Sequence, residues 1–240
     1  MQAKRVSVLV AALACGVGCK PGLTSAAAEQ TAEGRPCGPE AVIEDAEDNN
    51  NQVVPQDGRN GYMYTFADHE GSTVTPTSGE QGGIFSAAAG GANGSGFAMR
   101  MSGNVSTAEI VFVGMGLNFV DPKDQYDASK YQGIAFYARR GPDSTGKVRL
   151  KVPDVNTDPD GGICGACYND FGVDLKLKEE WQKFTVPFSS MRQLPGWGSP
   201  TPSSITPSKL YGIQFQVNDK GKAYDIWVDD IQFTGCGGQN

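Results

Sequence analysis

The stretch YGIQFQVN, residues 211–218, decides the fold. Ile213, Phe215 and Val217 alternate with Gln214, Gln216 and Asn218, the period of a strand with one apolar and one polar face. Other stretches repeat the pattern. In VRLKVPD (148–154), Val148, Leu150 and Val152 face one way and Arg149 and Lys151 the other. In GIAFYARR (133–140), Ile134, Phe136 and Ala138 alternate with Tyr137 and Arg139, and in GFAMRMS (96–102), Phe97, Met99 and Met101 alternate with Arg100. Working outward, strands are expected at residues 41–47, 61–68, 96–102, 108–117, 133–139, 147–153, 181–187, 210–217 and 223–233, separated by clusters of Gly, Pro, Asn and Asp. No internal repeat and no amphipathic helix interrupts them; residues 187–192 suit a single turn. This pattern predicts an all-β fold, a two-sheet antiparallel β-sandwich of the jelly-roll type.

The polar halves of these strands carry Arg, Lys, Gln, Asn and Tyr rather than the usual Ser, Thr, Lys and Glu of a solvated face. Tyr62 and Tyr64 share a face in their own strand, as do Tyr137 and Arg139. Planar amides, guanidinium groups and phenols form paired hydrogen bonds and stack on rings. Sugars present both needs: vicinal hydroxyls and apolar C–H faces. The expected binding face therefore combines Tyr62, Tyr64, Arg100, Tyr137, Arg139, Arg149, Lys151, Gln214 and Gln216. Of the three tryptophans, Trp181 and Trp227 sit in strands and suit the core, whereas Trp197, in the Pro/Gly loop LPGWGSP, suits an exposed platform.

The chain has 240 residues and a formal net charge of −7. Residues 1–19 hold two of its 20 basic residues and none of its 27 acidic ones, so the remainder is near −9. Such a chain repels phosphate backbones and makes nucleic acid a poor partner. Lys4 and Arg5 precede a short apolar run and then small residues and cysteines, MQAKRVSVLVAALACGVGC, which reads as a bacterial lipoprotein signal. Cys19 is the expected lipidated residue, with Cys15 the alternative and an ordinary secretory cut near residues 26–28 a third reading. Processing at Cys19 leaves Cys37, Cys164, Cys167 and Cys236, an even set that suits an oxidising compartment. The expected organisation is a signal over residues 1–19, a tether over 20–40, one domain over 41–236 and a tail over 237–240. The expected product is exported and held at a bacterial membrane, periplasmic or at the cell surface, as a monomer.

DVNTDPDGGICGAC (154–167) packs acids and amides against a CxxC. An EF-hand register from Asn156 aligns Asp158, Asp160 and Gly161 but puts Cys167 at the twelfth position, where Glu is required. A thioredoxin-like centre lacks its helix, and zinc lacks further soft ligands because the sole histidine is His69. The reading taken is a Cys164–Cys167 disulfide that stiffens a rim loop, with a looser calcium site left open. Asp154, Asp158, Tyr168 and Asp170 then become rim contacts.

The pieces IEDAEDNNN, DGRNGYMYTFAD, YDASKYQGIAFYARRG, WQKFTVPFSSM and YDIWVDDIQF occur in that order, and together they resemble family 11 carbohydrate-binding modules and their galactose-binding-like relatives. The resemblance covers roughly residues 41–236. It implies non-catalytic binding of a β-glucan or other polysaccharide on a concave sheet, and structural Ca²⁺. It also implies that the first and last strands pair, bringing Glu47 and Asp229 together with Asp45 or Asp48 as calcium donors. Asp229 is expected on one strand face with Trp227, Ile231 and Phe233. The same pairing places Cys37 near Cys236 for a second disulfide. The competing readings are a polysaccharide hydrolase or lyase, which needs two facing carboxylates, and a structural or adhesive surface protein without a glycan ligand.

Overall fold

The computed structural model describes residues 37–77 and 87–236. The signal segment, Cys19, the tether up to residue 36 and the tail lie outside the described residues.

Among the described residues, twelve strands form two antiparallel sheets. They are β1 (Val42–Glu44), β2 (Met63–Ala67), β3 (Thr73–Thr75), β4 (Ala88–Ala89), β5 (Phe97–Asn104), β6 (Val113–Asn118), β7 (Gly133–Arg140), β8 (Lys147–Val152), β9 (Phe171–Lys176), β10 (Gln182–Pro187), β11 (Gly212–Val217) and β12 (Ala223–Thr234). The seven-stranded sheet runs β10-β7-β12-β5-β3, with β1 added to β12 and β4 to β5; the five-stranded sheet runs β2-β6-β11-β8-β9. The helical segments described are single 3₁₀ turns, one of them Phe188–Ser190 where a turn was expected. The two-sheet jelly roll is thus the fold that the alternation predicted. Strand β9 was not foreseen, and neither were the short β3 and β4; β6 starts at Val113, not at residue 108.

The apolar half of each alternation fills the space between the sheets. Val113, Met115 and Leu117 from β6, Val148, Leu150 and Val152 from β8, and Ile213, Phe215 and Val217 from β11 meet Met99 and Met101, Ile134, Phe136 and Ala138, and Ile226 and Val228. Phe136 and Phe215 touch edge-to-face across the sheets at 5.1 Å. Burying each such side chain contributes roughly 1.5–3 kcal/mol.

First and last strands do pair: Glu44 lies opposite Ile231 and Val42 opposite Gln232. The parity of β12 differs from expectation. The register against β7 shifts between Asp229 and Gln232, and Asp230 takes the left-handed φ of 50°. One residue is bulged out, which flips the side chains beyond it. Tyr224, Ile226, Val228, Ile231 and Phe233 are therefore core residues, while Trp227 and Asp229 lie on the outer face. Both disulfides, Cys37–Cys236 and Cys164–Cys167, are formed.

Candidate functional site

The predicted polar face divides in two, because its strands belong to different sheets. Tyr64, Arg149, Lys151, Gln214 and Gln216 project from β2, β8 and β11 on the outer face of the five-stranded sheet. Arg100, Tyr137 and Arg139 project from β5 and β7 on the outer face of the other sheet. Period two tells inside from outside but not one outer face from the other. The expectation of one shared site is corrected accordingly. Trp227 is corrected too: it lies on the outer face beneath Arg100 and Arg139, at 4.5 and 4.1 Å from its ring centroid. Trp181 is only partly buried and contacts Arg139 at 5.1 Å.

The outer face of the five-stranded sheet floors an open cleft of about 970 Å³, within the size of known ligand sites. Its floor has a specific construction. In β6, Val113, Met115 and Leu117 point inward, so Gly114 and Gly116 lie on the outer-face side of the strand, where they are buried. Phe66 and Tyr64 of the neighbouring β2 lie over these two glycines, whose absent side chains make room for the rings. Tyr62, Tyr64, Phe66 and Phe112 form a row with successive centroids 6.3, 6.2 and 6.4 Å apart. Beside it stand the polar residues. Gln214 donates its amide N–H to the Tyr64 hydroxyl at 3.0 Å. Lys151 reaches Asp170 at 2.9 Å and donates to the Gln216 carbonyl at 3.1 Å. Arg149 pairs with Asp174 at 2.9 Å and also donates to the Arg192 carbonyl. Burial pushes the Tyr64 phenol up to about 12, so its O–H stays a donor. Asp170 keeps one buried oxygen, Oδ1, with no donor among the described residues.

The rim comes from two loops tied together. Asn169 is buried; its amide N–H groups reach the carbonyls of Leu194 and Trp197, at 2.8 and 2.7 Å, and its carbonyl accepts the Leu194 N–H at 2.9 Å. This brings Tyr168, 63% exposed, and Trp197, 47% exposed, to the same lip of the cleft. Trp197 is thus exposed, as its loop predicted. Tyr168 adopts a φ of 73° and follows the Cys164–Cys167 bridge directly; its N–H is fixed to the Thr157 carbonyl at 2.8 Å. Exposed Ile110 and Phe112 line the cleft as well.

Two predicted rim contacts are corrected. Asp154 is fully buried and accepts hydrogen bonds from the Asn156 and Thr206 backbone N–H groups and from the Asn156 and Thr157 side chains. It organises the loop from within. Asp158 is buried as well; it caps the following turn through the Asp160 N–H and pairs with Lys123 at 2.7 Å. Short acidic side chains in turns often spend their oxygens on nearby backbone, which is why neither reaches the cleft.

The expected calcium donors do not gather into a cage. Glu47 accepts the Gly96 and Phe97 N–H groups at 3.1 and 2.8 Å. Asp229 accepts the Ala92 and Asp230 N–H groups at 2.7 and 2.8 Å and the Ser95 hydroxyl at 2.6 Å. Asp45 accepts the Glu47 N–H at 3.2 Å. Among the described residues no three His, Cys, Asp or Glu side chains converge on one point. Calcium takes six to eight oxygens, and these donors are spent on N–H groups, so the arrangement does not fit it. They fasten residues 92–97 directly to β12 and to the turn after β1.

Several site features went unforeseen: the Gly114 and Gly116 floor, the rings of Phe66 and Phe112, and Asn169. The glycines carried a signal, since Gly inside a strand pattern marks a close approach.

No family model matches the sequence, and no curated protein does. Solved structures match. The family 11 carbohydrate-binding module of a cellulosomal cellulase of Clostridium thermocellum is 15% identical with a TM-score of 0.55, over 86% of this chain and 100% of that one. A family 11 module from Clostridium thermocellum, in complex with a β-1,3-1,4-mixed-linked tetrasaccharide, is 16% identical with a TM-score of 0.52, over 78% of this chain and 96% of that one. At such identities the likeness is one of fold: the chain has the jelly-roll sandwich of these modules.

Proposed function

We propose that the chain is a non-catalytic binding protein that seats an extended polysaccharide, a β-glucan or a similar polymer, along the outer face of the five-stranded sheet. The observation that carries this is the row of Tyr62, Tyr64, Phe66 and Phe112 beside Gln214, Gln216, Lys151 and Asp170, in a cleft with Trp197 and Tyr168 at its lip. Ring faces take the C–H faces of pyranoses, and the polar groups take hydroxyls. The mixed-linked tetrasaccharide held by a family 11 module of the same fold supports the same reading. Binding is favoured over hydrolysis because the cleft lining offers two carboxylates, Glu109 and Asp170, and Asp170 is engaged by Lys151. Hydrolysis needs one carboxylate as acid and a second as base or nucleophile.

Calorimetry with mixed-linkage β-glucan, xyloglucan and β-mannan, with and without calcium, tests the proposal. At least one is expected to bind, and Trp197→Ala is expected to weaken it by about 1–3 kcal/mol, the scale of aromatic stacking on a ring, with an unchanged melting temperature. Silence from folded protein, or release of reducing ends, would overturn it.

Export and a lipid on Cys19 belong to the same proposal, supported by the basic start and the short apolar run. In a bacterial host, palmitate labelling of the full chain is expected to vanish in Cys19→Ser and to persist in Cys15→Ser. The reverse pattern would move the lipid to Cys15, and labelling of neither would remove the anchor.

A further inference from the structure

The outer face of the seven-stranded sheet carries a separate constellation. Trp227 of β12 lies opposite Arg139 of β7 on one side and Arg100 of β5 on the other. Arg139 also contacts the Trp181 ring, so its guanidinium rests between two indoles. Cation–π contacts of this kind are worth about 0.5–2 kcal/mol each. The two arginines are otherwise unlike. Arg100 is paired through two bonds to Asp225, at 2.8 and 3.0 Å. Arg139 has no ion pair among the described residues, and its Nε is buried without a hydrogen-bond partner. The indole Nε1 of Trp227 is buried without one too. Exposed Lys183, opposite the half-exposed Tyr137 in the β10–β7 register, likewise forms no ion pair among the described residues. Asp225 is occupied by Arg100, and Asp229 is occupied by the Ala92–Ser95 loop.

Among the described residues the face therefore holds two cations that form no ion pair, Arg139 with Asp225 in electrostatic reach and Lys183 with Asp230, above two buried donors without partners, in a chain that is acidic overall. We propose that it is a second binding site, for an acidic glycan whose carboxylate or sulfate docks on the Arg139 guanidinium beside Lys183, with its ring against Tyr137 and Trp181. With Nε buried, the two terminal nitrogens of the guanidinium are the donors left for an oxyanion, and arginine binds carboxylate or sulfate through two parallel bonds. An acidic peptide would use the same charge, but the aromatic surfaces flanking Arg139 favour a sugar ring.

The full chain is titrated with tetragalacturonate and, separately, with a sulfated galactan tetrasaccharide, following indole fluorescence and heat. Quenching is expected with at least one of them, weakening as salt rises. Arg139→Gln is expected to lose about tenfold in affinity, the scale of one charge-assisted pair, and Lys183→Gln a smaller factor. Neither variant is expected to alter neutral β-glucan binding at the cleft, and Trp197→Ala is expected to spare the acidic sugar. The two oligosaccharides tell carboxylate from sulfate. If Arg139→Gln fails to fold, Lys183→Gln and the salt dependence decide. Absence of binding at millimolar concentration, undiminished affinity in both charge variants, or loss in Trp197→Ala would overturn the proposal.

Discussion

Gly116→Val is expected to weaken polysaccharide binding by about 30-fold or more, the loss of a central contact worth about 2 kcal/mol. The reason is local. A Cβ at position 116 would sit 3.0 Å from Tyr64 Cζ, 3.0 Å from Gln214 Cγ and 2.7 Å from the Ile213 carbonyl oxygen. The Tyr64 ring and the Gln214 amide would both have to lift, and the hydrogen bond between them would go with them. Valine itself suits a strand, so the cost is overlap and not backbone preference. Overpacking of this kind costs about 1–3 kcal/mol of stability, which leaves a folded protein to measure. Gly114→Val should act alike through Phe66, whose ring occupies the space of its Cβ. Calorimetry against the glycan bound by the parent chain is the check; full affinity in both variants would mean that the aromatic row is not the platform.

Removing the terminal clamp, Cys37→Ser together with Cys236→Ser, is expected to cost about 2–5 kcal/mol of stability. The bridged residues are 199 apart, so the bridge closes a loop around almost the entire domain and restrains the unfolded chain strongly. Denaturant titration should show a lower midpoint and a steeper slope, because the uncrosslinked denatured chain exposes more surface. A loss under about 1 kcal/mol would contradict this account. The Cys164–Cys167 bridge spans three residues, so its removal should leave the midpoint nearly unmoved.

Alternation made most of the sandwich legible, because a residue facing the core must be apolar whichever sheet carries it. It left the pairing of strands open. Arg139 and Arg149 look alike in sequence and stand on opposite outer faces, which only the hydrogen-bonding order of β7 and β8 reveals. Strand β9 was missed although Phe171, Val173 and Leu175 alternate, since Gly172 and the adjoining turn-rich loop masked it. The bulge in VDDIQF gave no advance sign: Asp230 takes a positive φ without being glycine, and that one residue moved Trp227 out of the core. Trp197 was legible because glycines and a proline surround it. Asp154 was misplaced because an acidic residue in a turn looks the same whether it serves a ligand or its own backbone.

The clamp also has a mechanical consequence. Tension applied to the chain ahead of residue 37 passes through the sulfur bridge to Cys236, two residues beyond β12. That strand is hydrogen-bonded on both sides, to β7 along one edge and to β5 and then β1 along the other. The short β1 therefore cannot be peeled away bond by bond. The load is instead shared with the C-terminal end of the longest strand described, which ladder bonds hold along both edges. A domain held by its N-terminal side while its cleft grips an immobile polymer would bear that pull without unzipping.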